Sequence, residues 1–233
     1  LPFGYLDRAV PKSLKEKVGD LLNELGAYIQ TGGKYLIRNQ DVWSRFSNPP
    51  HTLEQVQMRS LQEMDQVGLQ LAESRTNVAM VQGATTGFGG MFTLAIDIPV
   101  IIGLSLKVLQ EMALTYGFDP HDKVERIFII KCLQFTSADV VGKKAILAEL
   151  SAFDEGEKHQ EIIAQLQGWR EVSLTYMDSM AWKKLFQLIP IVGMFFGAFT
   201  NRTQIADIAM TGQMLYKKRR ILQRLAEQNG EKL

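Results

Sequence analysis

GATTGFGGMFTLAIDIPVIIGLSL, residues 83–106, decides how the rest of the chain is read. Gly83, Gly87, Gly89 and Gly90 fall within eight residues, and an apolar run from Met91 to Leu106 follows, broken by Asp97 beside Pro99. Three readings compete: a phosphate cradle, a membrane insert, or helices packed closely through bare Cα positions. A P-loop needs Gly-x-x-x-x-Gly-Lys-Ser/Thr, and no lysine follows Gly83 until Lys107. Gly87-Phe88-Gly89-Gly90 does not complete the dinucleotide pattern, and no strand precedes it. Nucleotide binding is therefore not expected.

The steric reading rests on spacing. Gly83 and Gly87 stand four apart, as do Gly193 and Gly197, so each pair offers a smooth groove on one helix face. A glycine costs roughly 1 kcal/mol against alanine inside a helix, so several together imply a compensating packing gain or a turn. Both remain open for Gly87 to Gly90. Glycines followed by a polar residue occur twice, with Gly87 to Gly90 leading to Asp97 and Gly193 and Gly197 leading to Asn201, a weak internal echo.

Outward from this stretch the periodicity is helical throughout. Ser13 and Glu16 form a capping box for a helix to Gln30, stopped by Gly32 and Gly33. Asn48-Pro49-Pro50 breaks the chain, and Thr52 with Gln55 opens a helix expected to run to about Val81. The apolar pattern after Asp97 continues to Tyr116, where Gly117 is a natural stop. Asp119 and Pro120 supply an N-cap and first-turn proline for the next helix. Further helices are expected at Ser137 to Leu150, Glu157 to Leu188 and Thr203 to Glu227. The expected fold is an all-α, multi-helix bundle with two glycine-rich apolar hairpins. Residues 1–50 form an N-terminal helical segment and 51–233 one compact helical domain.

With 233 residues and 46% hydrophobic content the chain can bury a substantial core. The formal charge of +1 gives no net field to gather nucleic acid. One cysteine, Cys132, precludes an internal disulfide, and its neighbours Ile129, Ile130 and Leu133 predict a buried, inert thiol in a reducing compartment. The chain opens Leu1-Pro2, with no leader that reads as a secretion signal. His51, His121 and His159 have no ligand spacing for a metal, Gly103-Leu104-Ser105-Leu106-Lys107 lacks the second glycine of a hydrolase elbow, and no acid–base pair stands out. Neither a catalytic, a cofactor nor a metal site is predicted.

A spanning helix needs about 20 predominantly apolar residues, and neither Met91 to Leu106 nor Leu185 to Thr200 reaches that without a polar group or proline. A carboxylate in mid-span costs roughly 2.5–3.5 kcal/mol, so Asp97 should face protein or an aqueous crevice. One reading makes Asp97 the N-cap of a helix beginning at Pro99; the other buries it near Asn201 in a polar pocket as an acid or base, in a soluble enzyme or small-ligand binder. Around the second apolar run, Trp182, Lys183 and Lys184 have the character of interface anchors. Together with Lys217, Lys218, Arg219 and Arg220 they form a candidate surface for anionic lipid. This predicts a peripheral or partly inserted protein on the cytoplasmic side of a membrane, a buried core helix with solvated lysines being the alternative.

The glycine block at 83–90, Asp97-Ile98-Pro99, Gln110-Glu111 and Tyr116-Gly117-Phe118-Asp119 together resemble the EcsC family. So does a second block, Ile189-Pro190-Ile191-Val192-Gly193, Gly197-Ala198, Asn201 and Tyr216. The resemblance runs from about Thr52 to Arg220, with the first fifty residues matching loosely. It implies a bacterial protein whose family is named for an operon that also encodes an ABC transporter linked to protein secretion, and hence a transporter membrane subunit as a partner. It implies no catalytic residues. The positions that match its pattern are Gly83, Gly87, Gly90, Asp97, Pro99, Tyr116, Gly193, Gly197 and Asn201.

Overall fold

A computed structural model describes residues 20, 24–32, 36–86, 91–138, 140–151, 153 and 201–230, with 80–86, 91–101, 137, 201 and 202 described as backbone alone. Among the described residues the protein is all-α. Helix α1 covers 24–31, and α2 (Gln40–Trp43) and α3 (Leu53–Gln57) are short. The long elements are α4 (Leu61–Thr86), α5 (Met91–Thr115), α6 (Lys123–Ser137), α7 (Val140–Ser151) and α8 (Asn201–Asn229).

The capping box at Thr52 forms as expected. The Gln55 N–H donates to Thr52 Oγ1 at 3.4 Å, and Gln55 Oε1 reaches back to accept from the His51 N–H at 2.8 Å. The helix it opens does not run to Val81. It ends at Gln57, and a new helix begins after Ser60, whose Oγ accepts from the Glu63 N–H at 3.1 Å. Ser60-x-x-Glu63 is a second capping-box pattern, and a cap in mid-pattern allows a break.

Helix α5 corrects the Asp97 cap reading, because the backbone is already helical from Met91 and Asp97 and Pro99 lie inside it. Pro99 has no N–H for the carbonyl four residues earlier, so that carbonyl loses its helical partner. At the other end the glycine stop holds. Gly117 takes φ +78°, the Phe118 N–H donates to Ala113 O at 2.9 Å and the Gly117 N–H to Leu114 O at 3.2 Å. These two bonds are a Schellman motif, which needs a left-handed residue where glycine carries no penalty. The next cap moves by three residues: Asp122, not Asp119, accepts from the Val124 N–H and starts α6. Asp119 instead holds the preceding turn by accepting from the His121 N–H.

Helix α8 packs against α4, α5 and α6 and organises the bundle. Ile205, Ile208, Ala209, Leu215 and Tyr216 on its inner face are buried with Met64, Leu71, Leu106, Leu109 and Met112. Close approach depends on two glycines. A Cβ on Gly212 of α8 would sit 2.8 Å from Leu109 Cδ2 and 3.2 Å from Met112 Cγ, and one on Gly68 of α4 would meet Gln213 Nε2 at 3.2 Å. Gly83 lies in the last turns of α4; Gly87, Gly90, Gly193 and Gly197, the expected helix after Glu157, and hence the glycine-pair packing and internal echo, lie outside the described residues.

Candidate functional site, a buried ionic and aromatic centre

Where α5, α6 and α8 meet, the core is charged. Arg219 Nη1 of α8 donates to both carboxylate oxygens of Glu125 on α6, at 2.9 and 3.1 Å, with both residues buried. The Tyr216 hydroxyl donates to Glu125 Oε1 at 2.6 Å. The guanidinium also lies 4.0 Å from the Phe128 ring centroid and 4.2 Å from that of Phe118, with Phe153 and Tyr216 farther out. Removing two charges from water costs several kcal/mol per ion, recovered only by close geometry and added hydrogen bonds. The aromatic faces supply a further attraction worth about 2 kcal/mol when desolvated.

This environment shapes its neighbours. Burial, reinforced by the Glu125 charge, pushes the Tyr216 phenol and the Cys132 thiol well above their ordinary ranges. Cys132 is fully buried, so it lacks the thiolate character and exposure a nucleophile requires.

Three other arginines act as internal helix caps. Arg220 donates from Nε to Tyr116 O at 2.7 Å and from Nη2 to Gly117 O at 2.8 Å, closing the end of α5. Arg224 Nη2 donates to Gln57 O and Arg59 O, both at 2.6 Å, at the end of α3. Arg126 donates to Ile29 O and Gln30 O, both at 3.0 Å, at the end of α1, and to His121 O. The last carbonyls of a helix have no partner within it and carry partial negative charge, so a guanidinium satisfies both needs at once. Burial, and then the charge of Arg224, pushes Arg220 down to about 10.

The basic cluster at 217–220 is thus divided. Arg219 and Arg220 are buried, which corrects their placement on an outer surface. The reason is helical register: Gly212, Tyr216, Arg219 and Arg220 share the inward stripe of α8, and each arginine has acceptors waiting there. Lys217 donates to Asp65 Oδ2 of α4 at 2.6 Å, while Lys218 is exposed and reaches Ser151 Oγ at 2.9 Å. Trp182, Lys183 and Lys184 lie outside the described residues.

Of the residues carrying the family resemblance, Tyr116 is fully buried and its hydroxyl donates to Asp65 Oδ1, tying α5 to α4. Gly83, Asp97, Pro99 and Asn201 are placed only as helical backbone, so no pocket between Asp97 and Asn201 is described. No sequence motif marks Glu125 or Arg75; Glu111, which stands in the family resemblance, pairs with Arg75, whose Nε and Nη2 grip its fully buried carboxylate at 2.6–3.0 Å. The signal available was a charge falling within an otherwise apolar helical stripe. Among the described residues no group of three or more His, Cys, Asp or Glu could hold a metal ion. None of their helices is long and apolar enough to cross a membrane. The centre ties α8 to α6 through Glu125.

The chain matches the EcsC protein family over residues 1–221. It belongs to that family. The match reaches the first residue, so the resemblance is wider than the region from Thr52 onward. Two Bacillus subtilis (strain 168) proteins are similar to this EcsC-family chain. One, named Uncharacterized protein YdbA, is 50% identical over 236 residues, covering 99% of this chain and 87% of its own length. The other, named Protein EcsC, is 29% identical over 160 residues, covering 69% of this chain and 65% of its own. No solved structure matches the chain.

Proposed function

We propose that this EcsC-family chain is a non-enzymatic protein that binds a membrane surface peripherally through the outer face of α8. The observation that carries this is an apolar face turned to solvent on a helix whose opposite face is core. Met210, Met214, Leu222 and Leu225 are 44–65% exposed, and Lys218 stands among them. An outward apolar stripe bearing lysine suits the boundary between headgroups and acyl chains, where apolar burial and attraction to anionic lipid act together. Each lysine near such a surface contributes about 1 kcal/mol. The same face would dock to the membrane subunit of an ABC transporter, the partner the family resemblance implies.

Co-sedimentation of the full chain with vesicles tests the lipid reading. Vesicles of phosphatidylcholine with phosphatidylglycerol are expected to pellet the protein, phosphatidylcholine alone to pellet less, and added salt to release it. A Met210→Glu/Met214→Glu variant with unchanged circular dichroism should stay in the supernatant. Protein that remains in the supernatant with both lipids defeats the proposal.

A further inference from the structure

Helix α7 carries a second apolar row turned to solvent. Val140 and Val141 open the helix 85% and 79% exposed, and Leu147 is 38% exposed. Val140, Lys144, Leu147 and Ser151 recur every three or four residues, so they lie along one side of the helix, with the exposed Ala148 next to Leu147. The opposite side is committed to the bundle: Ile146 and Leu150 are buried, and Lys131 Nζ of α6 donates to Glu149 Oε2 at 2.6 Å. Neither helix preference nor core packing accounts for two valines at an exposed first turn, because β-branched residues are indifferent helix formers and these two bury little. Single apolar residues on a surface are ordinary, whereas a row of them on one helix face marks a contact.

Charge and position indicate what covers this row. Lys144 is exposed within it, and Lys143 stands beside it with its ammonium 5.7 Å from the Phe135 ring centroid. Of the two acids in the same stretch, Asp139 and Glu149, the second is already paired with Lys131. An anionic partner is therefore favoured. The row also runs into the outer stripe of α8. Ser151, the last residue of α7, accepts through Oγ from Lys218 Nζ at 2.9 Å, and Lys218 stands between the exposed Met214 and Leu222.

We propose that the outward side of α7 is a second lipid-contacting element. Val140, Val141 and Leu147 enter the boundary between headgroups and acyl chains, and Lys143 and Lys144 meet anionic headgroups. The choice of lipid as occupant rests on the proposed role of α8, which the α7 row joins at Lys218 and Ser151. A single helix lying on a membrane can roll about its axis, and contact through a second helix opposes that rotation.

Cys132 is the one cysteine of the chain and is fully buried, so an exposed cysteine added by mutation is the thiol open to a maleimide dye. Val141→Cys and Met214→Cys, each labelled with a polarity-sensitive dye in the full chain, report on α7 and α8 separately. With vesicles of phosphatidylcholine and phosphatidylglycerol, the dye at 141 is expected to shift to the blue and brighten, and with phosphatidylcholine alone to change less. Lys143→Gln/Lys144→Gln in the labelled chain should raise the lipid concentration for half the change on the order of 25-fold, about five-fold for each lysine. Val140→Cys replaces Val141→Cys if the latter loses the circular dichroism of the parent chain. A response at 214 without one at 141 or 140 overturns the α7 contact and leaves the α8 proposal standing. A response at 141 without one at 214 supports α7 and overturns α8, and silence at both overturns both. An unchanged half-point in the lysine variant overturns the headgroup contact. A blue shift at 141 that grows with protein concentration in the absence of vesicles assigns the row to a second copy of the chain and overturns lipid as its occupant.

Discussion

Arg219 serves both the charge and the packing of the core. Its guanidinium satisfies Glu125 and lies on two phenylalanine rings, so its loss removes charge compensation and packing together. Breaking a buried pair from one side typically costs 3–5 kcal/mol, since the remaining charge stays desolvated. Arg219→Met is expected to destabilise the chain by about that amount in urea unfolding. Adding Glu125→Gln to the same chain should recover part of the loss. A double variant no more stable than Arg219→Met would mean that stacking, not charge, dominates. Cys132 and Gly117 were legible at this scale, one from its apolar neighbours and the other from its place at a helix end. Arg219 was not, because a guanidinium announces neither its acceptors nor its depth.

Between helices, two glycines play unequal parts. Alanine in a helix gains roughly 1 kcal/mol over glycine, so the outcome of each substitution turns on what the new methyl meets. At Gly212 it meets Leu109 Cδ2 at 2.8 Å and Met112 Cγ at 3.2 Å, both on fully buried side chains. At Gly68 it meets Gln213 Nε2 at 3.2 Å, an amide that can move only by loosening its hydrogen bond to Asp65 O. Overpacking a core costs about 1–3 kcal/mol, so Gly212→Ala should lower stability despite its better propensity. Gly68→Ala should be close to neutral, a propensity gain of roughly 1 kcal/mol offsetting a weakened hydrogen bond. Equal effects of the two substitutions on the urea midpoint would refute this assignment of the tight contact. Gly68 and Gly212 belong to neither of the glycine pairs expected from the sequence. Gly212 was visible as a lone glycine within a strong helical period, a pattern that needs a packing reason.

For the molecule as a whole, the buried phenols and thiol set its response to alkali. Tyr28, Tyr116, Tyr216 and Cys132 all have their pKa values raised, with burial as the main cause. Each stays protonated in the folded state after its unfolded counterpart has ionised. Stability is therefore unaffected well below pH 9.0, the ordinary thiol value, and falls as pH rises through that value and through the phenol value of 10.0. Each group contributes a slope of about 1.4 kcal/mol per pH unit. Arg220 acts in the opposite sense, because its folded value of about 10 lies below the ordinary 12.5 and its penalty lifts between them. One group against four leaves a net loss. Urea midpoints across about pH 8 to 11 should fall steadily, and a flat profile would show the phenols to be accessible in the folded chain.

Helical period, the Thr52 capping box and the glycine stop at 117 were set by the chain itself, because each depends on residues within about one turn of one another. Their bonds span three to five positions, and no distant partner is needed to form them. The continuous helix through Asp97 and Pro99 and the cap at Asp122 rather than Asp119 depart from the local signals. The inward turn of Arg219 and Arg220 was decided by the tertiary structure. Tyr216 and Arg219 find Glu125 across 91 and 94 residues, and Arg220 finds the carbonyl of Tyr116 across 104. A buried charge is tolerable only once such partners converge, and convergence is a property of three-dimensional packing rather than of local order.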